Sequence, residues 1–100
     1  EILKQKSQFT AIYAGHDRIA LLFYSAAKNL GLSIPEDISI VGYDNLPFTT
    51  VNITTMHQPI YEMGVEGVKL LISRMENPKS NIKNIMLTSS LVERHSVKRI

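Results

Sequence analysis

The alternation of apolar and polar segments along the chain predicts strands and helices in α/β order. A short β-prone run at residues 9–14 ends at Gly15 and predicts a first strand. An apolar stripe with helical spacing follows and predicts a helix that Gly31 ends. The members of that stripe are Ile19, Leu22, Phe23, Ala26, Ala27 and Leu30. A second, fully buried strand is indicated at residues 38–41, before Gly42, and the three elements together form a parallel βαβ unit.

The second half of the chain predicts a loop, a short strand, a helix and a last strand. Residues 45–54 are irregular, residues 54–58 resemble a strand or crossover, and Pro59 suits the first position of a helix that runs to about Glu76. The predicted buried face of that helix contains Gly64, Val68, Leu71, Ile72 and Met75. Glycine inside a helix costs roughly 1 kcal/mol relative to alanine, so Gly64 and Gly67 predict close packing against another backbone. A strand from Ile85 to about Val92 and a basic tail at residues 94–99 end the pattern.

Polar residues follow both strands of the βαβ unit. Asp44 comes directly after the second strand and His16 directly after the first. Because ligands of open α/β sheets bind beyond the carboxyl ends of the strands, Asp44 is a candidate ligand contact and His16 is expected to face the same crevice. An ordinary turn aspartate beside Asn45 and Pro47 is the alternative, and the residues alone leave both interpretations open. Asp17 is predicted to be the N-cap of the first helix.

Composition excludes several classes of protein. The chain has 100 residues, of which 44% are hydrophobic, and this indicates at most one globular unit. Eleven basic and nine acidic side chains leave a net charge of +2, and the basic ones are scattered apart from the short cluster at the end, which gives no support for nucleic-acid binding by these residues. The absence of cysteine excludes disulfides and fits a reducing compartment, and no apolar run approaches the roughly 20 residues of a membrane span. There is no nucleophile elbow, phosphate-binding glycine loop or metal-ligand cluster, so no enzyme activity, cofactor or metal is predicted.

Four motifs occur in a distinctive order along the chain. They are Ala14-Gly15-His16-Asp17, Gly31-Leu32 with Ile34 to Asp44, Ile53 to Pro59, and Leu91 to Val97. In this order the chain resembles the lactose-repressor-type bacterial transcription regulators. The resemblance implies the carboxy-terminal part of an effector-binding domain: a parallel-sheet, Rossmann-like α/β lobe that is a fragment of a two-lobed fold like that of periplasmic sugar-binding proteins. It also implies that a helix-turn-helix headpiece and most of the amino-terminal lobe lie outside these 100 residues.

The resemblance implies roles for three polar residues. Asp44 matches the ligand-binding aspartate of the family's Gly-aromatic-Asp motif. His16 takes the place of a residue, often asparagine, that also reaches the ligand, although it could instead be a loop residue behind the site. Gln58 aligns with a crossover position that contacts sugar in the periplasmic relatives, with a hinge residue bonded to backbone as the alternative.

The implied protein is a cytoplasmic, dimeric repressor that responds to a sugar or related metabolite and binds operator DNA through its headpiece. A sugar-binding protein of a transport system is the alternative, and the motif at residues 91–97 favours the regulator. In the family the first helix contributes to the dimer interface, and Leu21 and Tyr24 lie outside its predicted core stripe, so they are expected to contact a second chain or, alternatively, to lie under a loop. The stripe of the Pro59 helix packs in the other lobe in this family, so the 100 residues are not expected to be a complete folding unit.

Overall fold

The computed structural model of the protein describes residues 8–47 and 52–100, and divides the chain into two compact units. Its helices and strands are β1 (Ala11–Tyr13), α1 (Asp17–Asn29), β2 (Ser39–Asp44), β3 (Thr54–His57), α2 (Ile60–Glu76) and β4 (Ser90–Val92). The first unit extends to His57 and resumes at Ser90, and the second is Gln58–Ser89. The units divide in this way because the chain leaves the sheet after β3 and returns to it only at β4.

The sheet of the first unit has the order β1-β2-β3-β4. The first three strands are parallel and β4 is antiparallel to β3, which confirms the predicted α/β class and the parallel βαβ unit. The last strand is shorter than predicted, since residues 81–89 have no regular secondary structure. This topology brings the carboxyl ends of β1, β2 and β3 to one edge.

The buried face of α1 differs in part from the predicted stripe. The apolar helix residues that are buried or pack against the buried core are Ala20, Leu21, Phe23, Tyr24, Ala26 and Ala27. The prediction was correct for Phe23, Ala26 and Ala27 and wrong for Ile19, Leu22 and Leu30, which are exposed. The face is centred on alanines because the helix lies close to β2: the Ala20 Cβ is 3.3 Å from the place where a Cβ on Gly42 would be.

Gly31 ends α1 as the sequence predicted. Its φ of 74° lies in the left-handed region that glycine adopts without steric cost. The Leu32 amide donates to the Ala27 carbonyl (2.9 Å) and the Gly31 amide to the Lys28 carbonyl (3.0 Å). These two bonds form a Schellman motif, which satisfies carbonyls at the end of the helix.

The second unit leaves the apolar face of α2 uncovered. No α2 residue is buried in the described part of the chain, so the predicted stripe of Gly64, Val68, Leu71, Ile72 and Met75 is not covered there, which agrees with the expectation that it packs in the other lobe. No described atom lies within 4 Å of a Cβ built on Gly64 or Gly67, and Pro59 is the N-cap residue rather than the first helical residue. One helix and an irregular segment provide no second layer against which the helix could bury its face.

Candidate functional site

His16 and Asp44 meet at the edge where the parallel strands end. The Nε2 atom of His16 lies 3.0 Å from Oδ2 of Asp44. The Asp44 side chain is 13% exposed and that of His16 is 41% exposed, so the carboxylate is shielded while the imidazole remains accessible to solvent. The two side chains are therefore in contact at this edge, and their contact with a ligand stays a prediction.

His16 also caps α1. It is the N-cap residue, with extended backbone (φ −158°, ψ 143°), and its Nδ1 accepts from the Arg18 amide at 3.1 Å. The prediction that Asp17 is the cap was therefore wrong, because Asp17 is the first helical residue and its carboxylate points inward. Since Nδ1 accepts a hydrogen bond, the neutral ring carries its hydrogen on Nε2 and donates it to Asp44.

Asp17 is a buried carboxylate that links three segments of the chain. It is 1% exposed; its Oδ1 accepts from the Thr55 hydroxyl (2.6 Å) and its Oδ2 from the Leu46 amide (2.8 Å). Its place in the first turn of α1 adds a favourable interaction with the helix dipole. A Cβ on Gly42 would lie 2.2 Å from Oδ1, so only glycine at position 42 leaves room for this carboxylate.

Asn45 connects the site to two residues that the sequence did not indicate. Its Oδ1 accepts from Nη2 of Arg94 at 2.6 Å, and its Nδ2 donates to Nδ1 of His57 at 3.3 Å. Arg94 also donates to the Ile53 carbonyl (2.9 Å). His57 is the register partner of Asp44, so the parallel pairing of β2 and β3 could have indicated it; Arg94, within the predicted basic tail, gave no local signal.

The segment after β4 is bound into the sheet rather than forming only a basic tail. Ser96 is buried, and its backbone carbonyl accepts from the Ile40 amide at 2.8 Å. Its hydroxyl accepts from the Thr54 amide (2.8 Å) and donates to the Ile40 carbonyl. Ser96 thus joins β2 to the start of β3 on the side opposite the His16–Asp44 edge.

The remaining predicted site residues have different outcomes. Leu21 and Tyr24 are half-buried and pack against the buried core, so they are not the exposed pair that was expected, and their contact with a second chain stays a prediction. Ile19 and Leu22 are exposed apolar residues of the same helix. Gln58 opens the second unit directly after β3, and its contact with a ligand stays a prediction.

Two further observations concern the described residues as a set. Residues 8–47 and 52–100 contain no group of three His, Cys, Asp or Glu side chains placed to bind a metal ion. Over the same ranges, neither helix is long and apolar enough to cross a membrane.

Comparison with known proteins identifies the family. Residues 2–97 match the family of periplasmic binding protein-like domains. The HTH-type transcriptional repressor PurR of Proteus mirabilis is 40% identical over 100 residues, which cover 97% of this chain and 29% of that protein. A LacI family transcriptional regulator from Enterococcus faecalis V583 with bound ribose is 34% identical with a TM-score of 0.83, over 90% of this chain and 35% of that one.

A second solved structure is also similar, and the chain spans only part of its relatives. The complex of the transcriptional regulator CelR with cellobiose is 27% identical with a TM-score of 0.84, over 94% of this chain and 30% of that one. The chain spans only 29% of the length of the Proteus repressor that it matches. The chain belongs to the family of periplasmic binding protein-like domains.

Proposed function

We propose that this chain is the ligand-sensing part of a sugar-responsive bacterial transcription repressor. The observation that carries the proposal is the contact between His16 and Asp44 at the edge where β1 and β2 end. A carboxylate has about four lone-pair positions, so Asp44 can accept from His16 and from neighbouring hydroxyls of one ligand. The structural relatives with bound ribose and cellobiose show that this fold accommodates such polyhydroxy ligands.

In the whole protein, the site is coupled to DNA binding. Residues 1–100 form the carboxy-terminal part of the effector domain, and the ligand lies between two lobes, with Gln58 at the crossover as a further contact. Effector binding shifts the lobes and so changes the affinity of an amino-terminal headpiece for operator DNA, which is a coupling between two distinct sites. The protein is a cytoplasmic homodimer, and its activity is binding rather than catalysis, like that of the transcription regulators it resembles.

The experiment that tests the site is isothermal calorimetry on the full-length protein. Ribose, cellobiose and a panel of other pentoses, hexoses and disaccharides are titrated into the parent and into Asp44→Asn. Loss of a hydrogen bond to a charged group should weaken binding of the recognised sugar by about tenfold to a hundredfold. Glu93→Gln removes the same charge at an exposed position of the first unit and should leave the affinity unchanged.

Two outcomes would contradict this proposal in different ways. Equal affinity of the parent and Asp44→Asn would remove Asp44 from the ligand site. Absence of binding to every sugar of the panel in the parent would reject a sugar as the effector.

A further inference from the structure

The backbone at the end of β2 has an uncommon conformation. Asp44 has a φ of 106° and Asn45 a φ of 58°. Residues with a Cβ seldom adopt positive φ, and two in succession persist only where surrounding groups hold them. Because Asp44 is the proposed effector contact, whatever holds this turn also decides where its carboxylate points.

Two successive backbone amides after Asp44 point at the same pair of side chains. The Asn45 amide donates to Oγ1 of Thr55 at 3.4 Å, and the Leu46 amide donates to Oδ2 of Asp17 at 2.8 Å. The Thr55 hydroxyl donates to the other oxygen of Asp17 at 2.6 Å. The Asp17 carboxylate and the Thr55 hydroxyl therefore each accept a hydrogen bond from the turn at residues 44–46.

This pair is shielded from water and fixed on its other sides. Asp17 is 1% exposed and Thr55 is 0% exposed, so water does not compete strongly for their hydrogen bonds. Thr55 is the register partner of Gly42, and the missing Cβ of Gly42 is what lets the Asp17 carboxylate reach it. The position of Asp17 is thus determined by α1, β2 and β3 together.

The same pair also relates Asp44 to His16. His16 and Asp17 are consecutive at the start of α1, and His16 contacts the Asp44 carboxylate while Asp17 binds the backbone two residues beyond Asp44. A shift of Asp17 would therefore change the position of the turn relative to the start of α1.

We propose that Asp17 and Thr55 are positioning residues of the effector site, which hold residues 44–46 so that Asp44 faces His16. Neither residue needs to touch the effector. The relevance of this arrangement to sugar binding rests on the proposed function, whereas the arrangement itself is a property of the protein without ligand.

Two substitutions distinguish the effect of the Thr55 hydroxyl from the effect of the side chain's size. Thr55→Val keeps the branched shape and removes the hydroxyl, and Thr55→Ser keeps the hydroxyl and removes the methyl group. Both are made in the full-length protein, and Ile53→Val, at a buried neighbouring site, serves as the control for general loosening of the core. If the hydroxyl matters, Thr55→Val should be the more disturbed variant, and if only packing matters, Thr55→Ser should be.

Two measurements without effector report on the turn. Hydrogen–deuterium exchange followed by mass spectrometry reports on peptides containing Asn45 and Leu46, and ¹⁵N labelling of histidine reports on the ring nitrogens of His16. In Thr55→Val the amides of the turn should exchange about tenfold faster, since each loses a hydrogen bond or its support, and the His16 Nε2 resonance should move. Thr55→Ser and Ile53→Val should behave like the parent.

Parent-like exchange and histidine resonances in Thr55→Val, or equal disturbance in both Thr55 variants, would overturn the proposal. Should Thr55→Val not fold, Asp17→Asn carries the same test, because a carboxamide keeps only one of the two acceptor oxygens; parent-like exchange there would also overturn it. A parent that binds no sugar but shows the expected exchange pattern would reject the proposed effector class and leave the positioning role established.

Discussion

The two ring nitrogens of His16 serve different partners. Nδ1 accepts from the Arg18 amide and caps α1, while Nε2 faces the Asp44 carboxylate. The residue that touches the proposed effector contact is therefore also the residue that starts the helix. Substitutions at position 16 can separate these two tasks.

We expect His16→Ala to lose both tasks and His16→Asn to keep the cap. Loss of an N-cap side chain should lower the free energy of unfolding by about 0.5–2 kcal/mol, whereas asparagine is among the preferred N-cap residues. Urea denaturation of the full-length protein should show a lower midpoint for His16→Ala only. Equal midpoints for the two variants would show that the cap contributes nothing measurable.

For single residues, the sequence predicted where the polar side chains of the site lie, but it did not predict the partner of each one. Asp44 and His16 could be placed at one edge because parallel strands end together, and the structure confirms their contact. Asp17 was assigned to the cap because aspartate is a preferred N-cap residue. Its actual partner, Thr55, is 38 positions away in the sequence, and no local pattern reports such a contact.

For a whole element, the helix α1 also shows what local sequence patterns do not predict. Its carboxyl end was predicted from Gly31, but its N-cap is His16 rather than the predicted Asp17. Its buried face could not be predicted from its largest apolar side chains. The helix packs closely over Gly42, and alanine rather than leucine fits at that distance. Leu22 is left 70% exposed beside the exposed Ile19, on the face opposite the core.

We expect the proposed homodimer to bury this exposed face, with Ile19 and Leu22 in the contact. In the full-length protein Leu22→Asp should shift sedimentation at micromolar concentration towards monomer, because a charge would be buried in an apolar contact. Ser73→Asp introduces the same charge at an exposed position of α2 and should leave the sedimentation coefficient unchanged. Dimers that persist in Leu22→Asp would place the interface elsewhere.

On the scale of the whole molecule, the main feature is the exposed apolar face of α2. Large apolar residues recur on that helix with helical spacing, and none is buried in the described part of the chain. They are Ile60, Tyr61, Met63, Val68, Leu71, Ile72 and Met75. An apolar surface of this extent is typical of an interface, and we expect the remainder of the longer protein to cover it.

Leu71→Asp in the full-length protein tests that expectation. If the face is covered there, the substitution should cost about 2–5 kcal/mol of unfolding free energy, like other losses of a buried leucine. Ser73→Asp, on the polar side of the same helix, should change it by less than about 0.5 kcal/mol. Equal thermal midpoints for both variants would show that Leu71 remains in water.

The class and the order of elements could be predicted because each depends on short segments. The motifs at residues 14–17 and 34–44 indicated the α/β lobe, and the matching family confirms it. The division into two units could not be predicted from composition, since length and apolar content do not report where the chain leaves a sheet. The burial of Ser96 was missed for the related reason that its partners, Ile40 and Thr54, lie far back in the sequence.

The position of Ser96 has a consequence for how the chain folds during synthesis. Its partners in β2 and β3 lie 56 and 42 residues earlier, so both strands leave the ribosome well before the residue that joins them. Contacts between such distant residues form slowly because a long loop must close first. The first unit therefore completes its sheet only after the whole of the second unit has been translated.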